Sequence, residues 1–274
     1  MATSCIHPLA EHIPSEAPVH NTGQKLKILS FNVQTGITTR RYRHYITHGW
    51  KHVLPHAERF RNLDRIAELA REYDIVGLQE VDAGSLRSGF VNLTEYIAQR
   101  SQHPFWYDQT NRRLGRIARH AIGILSRFQC HEIIEHRLPG PIPGRGALSV
   151  RFGHGEDALV VVILHLALGK RARLQQLDYI SEFVNQYRHV ILMGDLNFPS
   201  DSPEMEYLID RTLMCEPVHG LNTFPSWRPQ RNIDHILVSP TIEVKRMRVL
   251  DCPVSDHLPI CMEIILPQGV RLVA

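Results

Sequence analysis

Val190-Ile191-Leu192-Met193-Gly194-Asp195-Leu196-Asn197 is the stretch that decides the fold. Four apolar residues in a row, closed by a glycine, read as a strand buried on both faces. Immediately upstream, Leu174, Leu177, Ile180, Phe183, Val184 and Tyr187 fall at helical spacing. Before them, residues 159–166 form another nearly unbroken apolar run, containing His165. Strand, amphipathic helix and strand in this order describe an α/β unit. The run delivers a carboxylate and an amide where the strand stops. Asp195 and Asn197 alternate, so both side chains can point the same way along a strand. Gly-Asp-x-Asn-x-Pro is equally good turn chemistry.

Working outward, residues 26–31, 74–79, 121–125, 147–152, 233–238, 242–249 and 258–266 read as further strands. Residues 60–73 read as a helix, with Phe60, Leu63, Ile66, Ala67 and Ala70 on one face; Leu93, Tyr96, Ile97 and Arg100 have the same spacing. Ser202-Pro203-Glu204 is a helix start, with proline in the first turn and an acid near the positive end of the dipole. Strands dominate both ends of the chain and helices interleave. Two facing sheets with helices outside accommodate that order. No repeat or linker divides the sequence, so residues 26–274 are expected to form one domain behind an irregular leader, residues 1–25.

The chain has 31 Lys+Arg against 28 Asp+Glu, so net charge alone names no polyanion partner. Distribution says more. Between Asn111 and His131 stand five arginines (Arg112, Arg113, Arg116, Arg119, Arg127) and no acid. Residues 38–61 carry six Lys or Arg, four His and only Glu58 on the acidic side. In that second segment Arg40, Arg41 and Arg43 are mixed with Tyr42, Tyr45 and Trp50, a composition suited to phosphate contact and base stacking, and equally to an anionic membrane surface. His44, His48, His52 and His56 recur every four residues, but Gly49 and Pro55 interrupt a helix and no carboxylate joins them, which argues for a solvated basic loop over a zinc site. Five scattered cysteines without a CxxC point to a reducing compartment. With no signal peptide pattern and no apolar stretch approaching 18 residues, the expectation is a cytoplasmic protein.

The chemistry-bearing residues sit beside the apolar runs: Asn32, Glu80, His165, Asp195, Asn197, Asp234, Asp256 and His257. Oxygen ligands for a hard divalent cation, together with a titratable imidazole, are what phosphoester hydrolysis needs.

These residues carry a resemblance. Leu29-Ser30-Phe31-Asn32, Ile75-Val76-Gly77-Leu78-Gln79-Glu80, Gly123-Ile124-Leu125-Ser126-Arg127, Leu164-His165-Leu166, Gly194-Asp195-Leu196-Asn197, Ile233-Asp234-His235-Ile236 and Ser255-Asp256-His257 follow one another as in the endonuclease/exonuclease/phosphatase superfamily. That group includes pancreatic-type deoxyribonuclease, abasic-site endonucleases, sphingomyelinases and inositol phosphatases, and the resemblance spans residues 26–266. It implies a four-layer α/β sandwich, two packed, mostly antiparallel sheets with helices outside and the site at the strand ends. It also implies Mg²⁺, with Mn²⁺ as a substitute, held by Glu80, Asn32 and Asp256. Asp195 is implied to orient or deprotonate the attacking water, Asn197 to hold a phosphate oxygen, His257 to act as base or phosphate donor, Asp234 to hold the His257 ring, and His165 to touch a phosphate oxygen. Val33-Gln34 follows Asn32 where abasic-site enzymes carry a carboxylate, and Tyr107 and Asn111 are only stand-ins for their tyrosine motif. Abasic-site specificity is therefore not carried over.

The expected activity is a Mg²⁺-dependent phosphodiesterase of nuclease type, with Arg40, Arg41, Arg43, Asn111 and Arg112 toward the substrate and nucleic acid favoured over phospholipid. The alternatives are a sphingomyelinase-like phosphodiesterase, a small-molecule phosphatase, or an inactive binding module on the same fold.

Overall fold

Alternation along the buried strands sorts the side chains into three layers of packing. A computed structural model describes residues 23–36, 57–140 and 144–274. Arg40, Arg41 and Arg43, the histidines at 44, 48, 52 and 56, and residues 1–22 of the expected leader lie outside the described residues.

In chain order the elements are β1 (Lys25–Asn32), α1 (Ala57–Ala70), β2 (Ile75–Asp82), α2 (Leu93–Ser101), β3 (Phe105–Leu114), β4 (Ala118–Ser126), β5 (Glu132–His136), β6 (Gly146–Phe152), β7 (Leu159–His165), α3 (Lys170–Val184), β8 (His189–Asp195), α4 (Pro203–Arg211), β9 (Asp234–Val238), β10 (Glu243–Val249) and β11 (Ile260–Ile265). One sheet runs β10-β11-β1-β2-β4-β3 and the other β5-β6-β7-β8-β9. Each holds a single parallel pair, β1 with β2 and β7 with β8, among antiparallel neighbours. The sheets are thus mixed and mostly antiparallel.

β7 shows how the layers form. Leu159, Val161 and Ile163 point between the sheets, where they meet Ile28, Ile75, Ile122 and Ile124 of the first sheet. Val160, Val162 and Leu164 point outward under Leu177, Ile180 and Val184 of α3 and Met205 and Leu208 of α4. On the far side, Leu29, Phe31, Val76 and Leu78 pack against Leu63, Ile66 and Ala67 of α1 and Ile97 of α2. Four layers follow: helices, sheet, sheet, helices. Each fully buried aliphatic side chain in these clusters contributes roughly 1.5–3 kcal/mol of transfer free energy.

The helix ends obey local rules. Ser202 accepts from the Met205 N–H at the start of α4, which has Pro203 in its first turn. Asn92 caps α2 by accepting from Thr94 and Glu95. β3 and β5 were not visible in the sequence pattern. Both are edge strands, and Asp108, Arg112 and Arg113 break up β3 while Glu132 and Glu135 break up β5, as protected sheet edges require.

Candidate active site

Both parallel pairs end at the same place. In the first, Asn32 lies level with Gln79, next to Glu80; in the second, His165 lies level with Asp195. Antiparallel pairing then sets Asp234, the first residue of β9, directly opposite Asp195. The loop before β11 brings Ser255, Asp256 and His257 onto the same floor, where the Ser255 hydroxyl donates to the Asn32 carbonyl at 2.7 Å. Strand ends far apart in sequence therefore converge at the carboxyl ends of parallel strands, the usual location of sites in α/β sheets.

Backbone geometry aims two of these side chains. β2 slips register against β4 between Leu78 and Val81, and inside this bulge Glu80 adopts φ +56°. A bulge re-aims a side chain, here turning the carboxylate into the cleft. Gly194 has φ +143°, and a methyl group there would come within 2.0 Å of the Leu164 carbonyl oxygen, so only glycine lets β8 lie this close to β7 just before Asp195. Asn197 is not a strand residue. β8 stops at Asp195, and Asn197 sits at φ +59°, its backbone N–H donating to Asp195 Oδ1 at 3.1 Å and its Nδ2 to the Leu166 carbonyl at 3.0 Å. The turn chemistry of Gly-Asp-x-Asn prevailed over the period of two.

The distances define one constellation. Asn32 Nδ2 donates to Asp195 Oδ2 at 3.1 Å. His165 Nε2 lies 3.5 Å from Asp195 Oδ2 and 3.6 Å from Glu80 Oε1. His257 Nδ1 is 2.8 Å from Asp234 Oδ2, which also accepts from the Thr223 hydroxyl. The Phe224 ring covers His257 at a centroid distance of 4.9 Å. Asn32, His165, Asp195, Asp234, Asp256 and His257 are buried, and Glu80 is partly open to the cleft.

Crowded charge drives the titration of the group in opposite directions. Burial, with Asp234 and Glu80 adding like charge against the pull of His257, pushes the Asp195 carboxyl up to about 7. Burial and then the Asp256 charge also raise Glu80. Burial alone would lower His257, but the charge and hydrogen bond of Asp234 reverse that and carry it up to about 10. His165 is held well below the usual histidine range by burial and by Arg145. At neutral pH the floor thus carries one imidazolium, one neutral imidazole and carboxylates that resist ionising together.

Arg145 escaped the sequence reading. Its guanidinium lies against the His165 ring, with Nη1 meeting Nε2 more closely than Nδ1. It stands in the proline- and glycine-rich segment before β6; the one available signal was that β6 must pair with the strand ending in His165, as Gly146 opposite His165 does. Asn111 and Arg112 do reach this edge. A methyl on Gly146 would fall 2.2 Å from Asn111 Oδ1, and one on Gly144 would fall 3.2 Å from Arg112 Cδ. Tyr107 instead donates to Glu135 at 2.8 Å.

The donor set among the described residues suits a hard divalent cation: carboxylate and amide oxygens, with two carboxylates raised first by burial and then by their like-charged neighbours. Ligand atoms of Asp195, Asp234 and His257 also lie within 4.8 Å of one another and could hold an ion. Asp234 already holds His257 Nδ1 at 2.8 Å, leaving only Nε2 of that ring for an ion.

Comparison with known proteins agrees with this geometry. The model of the Endonuclease/Exonuclease/phosphatase family matches residues 29–257. Among solved structures, an endonuclease/exonuclease/phosphatase from Beutenbergia cavernae is similar with a TM-score of 0.70 and 20% identity, over 89% of this chain and 72% of that one. The mannosyl-6-phosphatase Bt3783 of Bacteroides thetaiotaomicron is similar with a TM-score of 0.64 and 18% identity, over 88% of this chain and 100% of that one. TDP2 of D. rerio, complexed with single strand DNA product, has a TM-score of 0.63 and 20% identity, over 88% of this chain and 98% of that one. At such identities these structures show a shared fold. The search of curated proteins returned no match.

Proposed function

We propose, on the premise that this chain belongs to the endonuclease/exonuclease/phosphatase family and is therefore a phosphoester hydrolase, that it is a phosphodiesterase of nuclease type working with Mg²⁺, or Mn²⁺ in its place. One observation carries the reading: Asn32, Glu80, His165, Asp195, Asp234 and His257, from separate strand ends, meet within hydrogen-bonding or ion-pair distance around one cleft. A catalytically dead binding module has no use for that complete set.

Glu80, Asn32 and Asp256 would hold the cation. When bound it supplies Lewis-acid neutralisation of a phosphate oxygen. Asp195, with a pKa of about 7, is matched to taking a proton from water at neutral pH. Asn32 Nδ2 fixes the orientation of that carboxylate. His257, protonated and held by Asp234, donates to a non-bridging oxygen and stabilises the pentavalent transition state. The neutral His165 ring, 3.5 Å from Asp195 Oδ2, offers a further donor. Asn197, braced on Leu166, contributes its side chain to the phosphate pocket.

A polynucleotide is favoured by the basic β3–β4 hairpin. Arg112, Arg113, Arg116 and Arg119 are on that hairpin, and Arg112 packs beside the segment that carries Arg145. The relative holding single strand DNA product supports the same direction. A phospholipid substrate is the second reading, favoured by the exposed Leu86, Phe90, Leu114 and Ile117 around Arg116. Release of phosphate from a small phosphomonoester ranks third. A cytoplasmic location belongs to the same proposal and is supported by the free cysteines at 130, 215, 252 and 261.

The test is turnover of bis-p-nitrophenyl phosphate with Mg²⁺ or Mn²⁺, which EDTA must abolish, followed by plasmid DNA, RNA and sphingomyelin liposomes side by side. Asp195→Ala and His257→Ala are each expected to lose roughly 10²-fold or more in kcat while remaining folded. Wild-type rates in either variant remove that residue from its role, and metal-independent turnover sinks the scheme.

A further inference from the structure

Arg145 belongs to two places. Its guanidinium touches His165, and the residue also lines a cavity of about 650 Å³ bordered by Gly140, Leu168, Gly169, Lys170 and Arg171. That volume falls within the roughly 300–1,000 Å³ typical of small-molecule sites. The cavity floor is the chain that leaves β7, and this chain is tied to the catalytic floor where Asn197 donates to the Leu166 carbonyl. Arg145 is thus shared between the cavity lining and the His165 contact.

Its chemistry is one-sided. Among the described residues three cations line it, and no carboxylate does. Among the described residues neither Arg145 nor Lys170 nor Arg171 forms an ion pair, whereas Arg173, one turn further along α3, is taken up by Glu204 at 2.7 Å. Beside the cations lies an apolar wall, with Leu168 72% exposed. A lone exposed leucine is ordinary, but one set within a basic cavity next to a phosphoesterase centre matches a ligand with an anionic group and a flat apolar one. Placing Lys170 and Arg171 in the first turn of a fifteen-residue helix with no acid there also opposes the helix dipole, a cost that a bound anion reverses.

Resting on the phosphodiesterase reading above, we propose that this cavity is the subsite for the nucleotide that flanks the scissile phosphodiester. Lys170 and Arg171 receive its phosphate and Leu168 its base. Arg145 joins the subsite to the catalytic centre.

The experiment compares the dinucleotide TpT with the same dinucleotide carrying a terminal phosphate at either end, in the full-length protein and in a Lys170→Ala/Arg171→Ala double variant. Charge-assisted contacts of the kind Lys170 and Arg171 can make are strong enough that one of the two terminal phosphates is expected to lower KM about tenfold in the wild type. The double variant is expected to lose that gain while cleaving bis-p-nitrophenyl phosphate at the wild-type rate. A second measurement needs no turnover: in EDTA, calorimetric titration with thymidine 3′,5′-bisphosphate is expected to give a Kd about tenfold weaker in the variant, with a salt dependence that flattens. Cleavage of bis-p-nitrophenyl phosphate with no effect of either terminal phosphate, or equal Kd values in wild type and variant, overturns the subsite and leaves the phosphodiesterase reading standing. A gain for sphingomyelin in place of the oligonucleotides that depends on Lys170 and Arg171 also overturns it, assigning the cavity to a lipid headgroup. Absence of turnover on bis-p-nitrophenyl phosphate with either metal overturns the phosphodiesterase reading itself.

Discussion

Replacing Asp234 by asparagine changes one charge and almost no shape. The amide oxygen can still accept from His257 Nδ1 across the present 2.8 Å, so the ring keeps its orientation. What disappears is the foremost of three anions, Asp234 ahead of Asp195 and Asp256, that together carry His257 from 6.5 to about 10 against burial, a combined preference for imidazolium worth about 5 kcal/mol. Without it, burial draws the ring back toward or below its ordinary range. At pH 7.5 the protonated fraction then falls from nearly complete to about one tenth or less. If His257 works as a cationic donor to phosphate, kcat/KM at pH 7.5 falls roughly 10- to 100-fold and recovers as the pH is lowered toward 6. Stability follows the same linkage. A raised histidine pKa contributes stability that is fully present below the unfolded value of about 6.5 and is lost as pH rises through about 10, so the wild type weakens across that window and the variant does not. Urea denaturation at several pH values and an imidazole NMR titration of the metal-free protein read both effects. A variant with an unchanged pH–rate profile, or a His257 midpoint still near 10, refutes the assigned coupling.

Other perturbations test the scaffold and the cation. Glu80→Gln is expected to weaken Mg²⁺ binding by 10-fold or more in calorimetric titration; equal affinity would move the cation toward Asp195, Asp234 and His257, the other group able to hold it. Gly194→Ala drives a methyl into the Leu164 carbonyl at 2.0 Å and is expected to destabilise by at least about 3 kcal/mol, so an unchanged Tm would contradict the packing of β8 on β7. Asp82, fully buried, pairs with Arg87 at 2.5 Å and accepts from Ser85 and Ser88; Asp82→Ala leaves that arginine buried without its anion and is expected to cost about 3–5 kcal/mol in denaturant unfolding, with a loss under 1 kcal/mol counting against the network.

Particular residues show how far the sequence could be read. The strands β1, β2, β7, β8 and β9 announce themselves by their buried apolar runs, and a candidate site residue lies at or near the end of β1, β2, β7 and β8 and at the start of β9. β3 and β5 do not, since an edge strand carries charges that erase its periodicity. Asp234 and His257 were legible as motif members. The placement of Asp234 opposite Asp195 was not, because cross-strand register depends on loop lengths that a linear pattern does not encode. Arg145 was the least legible, since an arginine among prolines and glycines has no periodic context and gains meaning only when β6 folds beside β7.

The bulge in β2 has a consequence for the lineage as well as for the site. Glu80 occupies a left-handed backbone well, uncomfortable for a side chain with a Cβ by about 1 kcal/mol, and its carboxylate adds electrostatic crowding. Glycine would relax both tensions at once. Glu80→Gly should therefore yield a protein at least as resistant to heat as the parent and devoid of activity, an outcome that calorimetry beside an assay can check. If Glu80 holds the cation as proposed, that role works against the local backbone, and losing the acid is downhill for the fold.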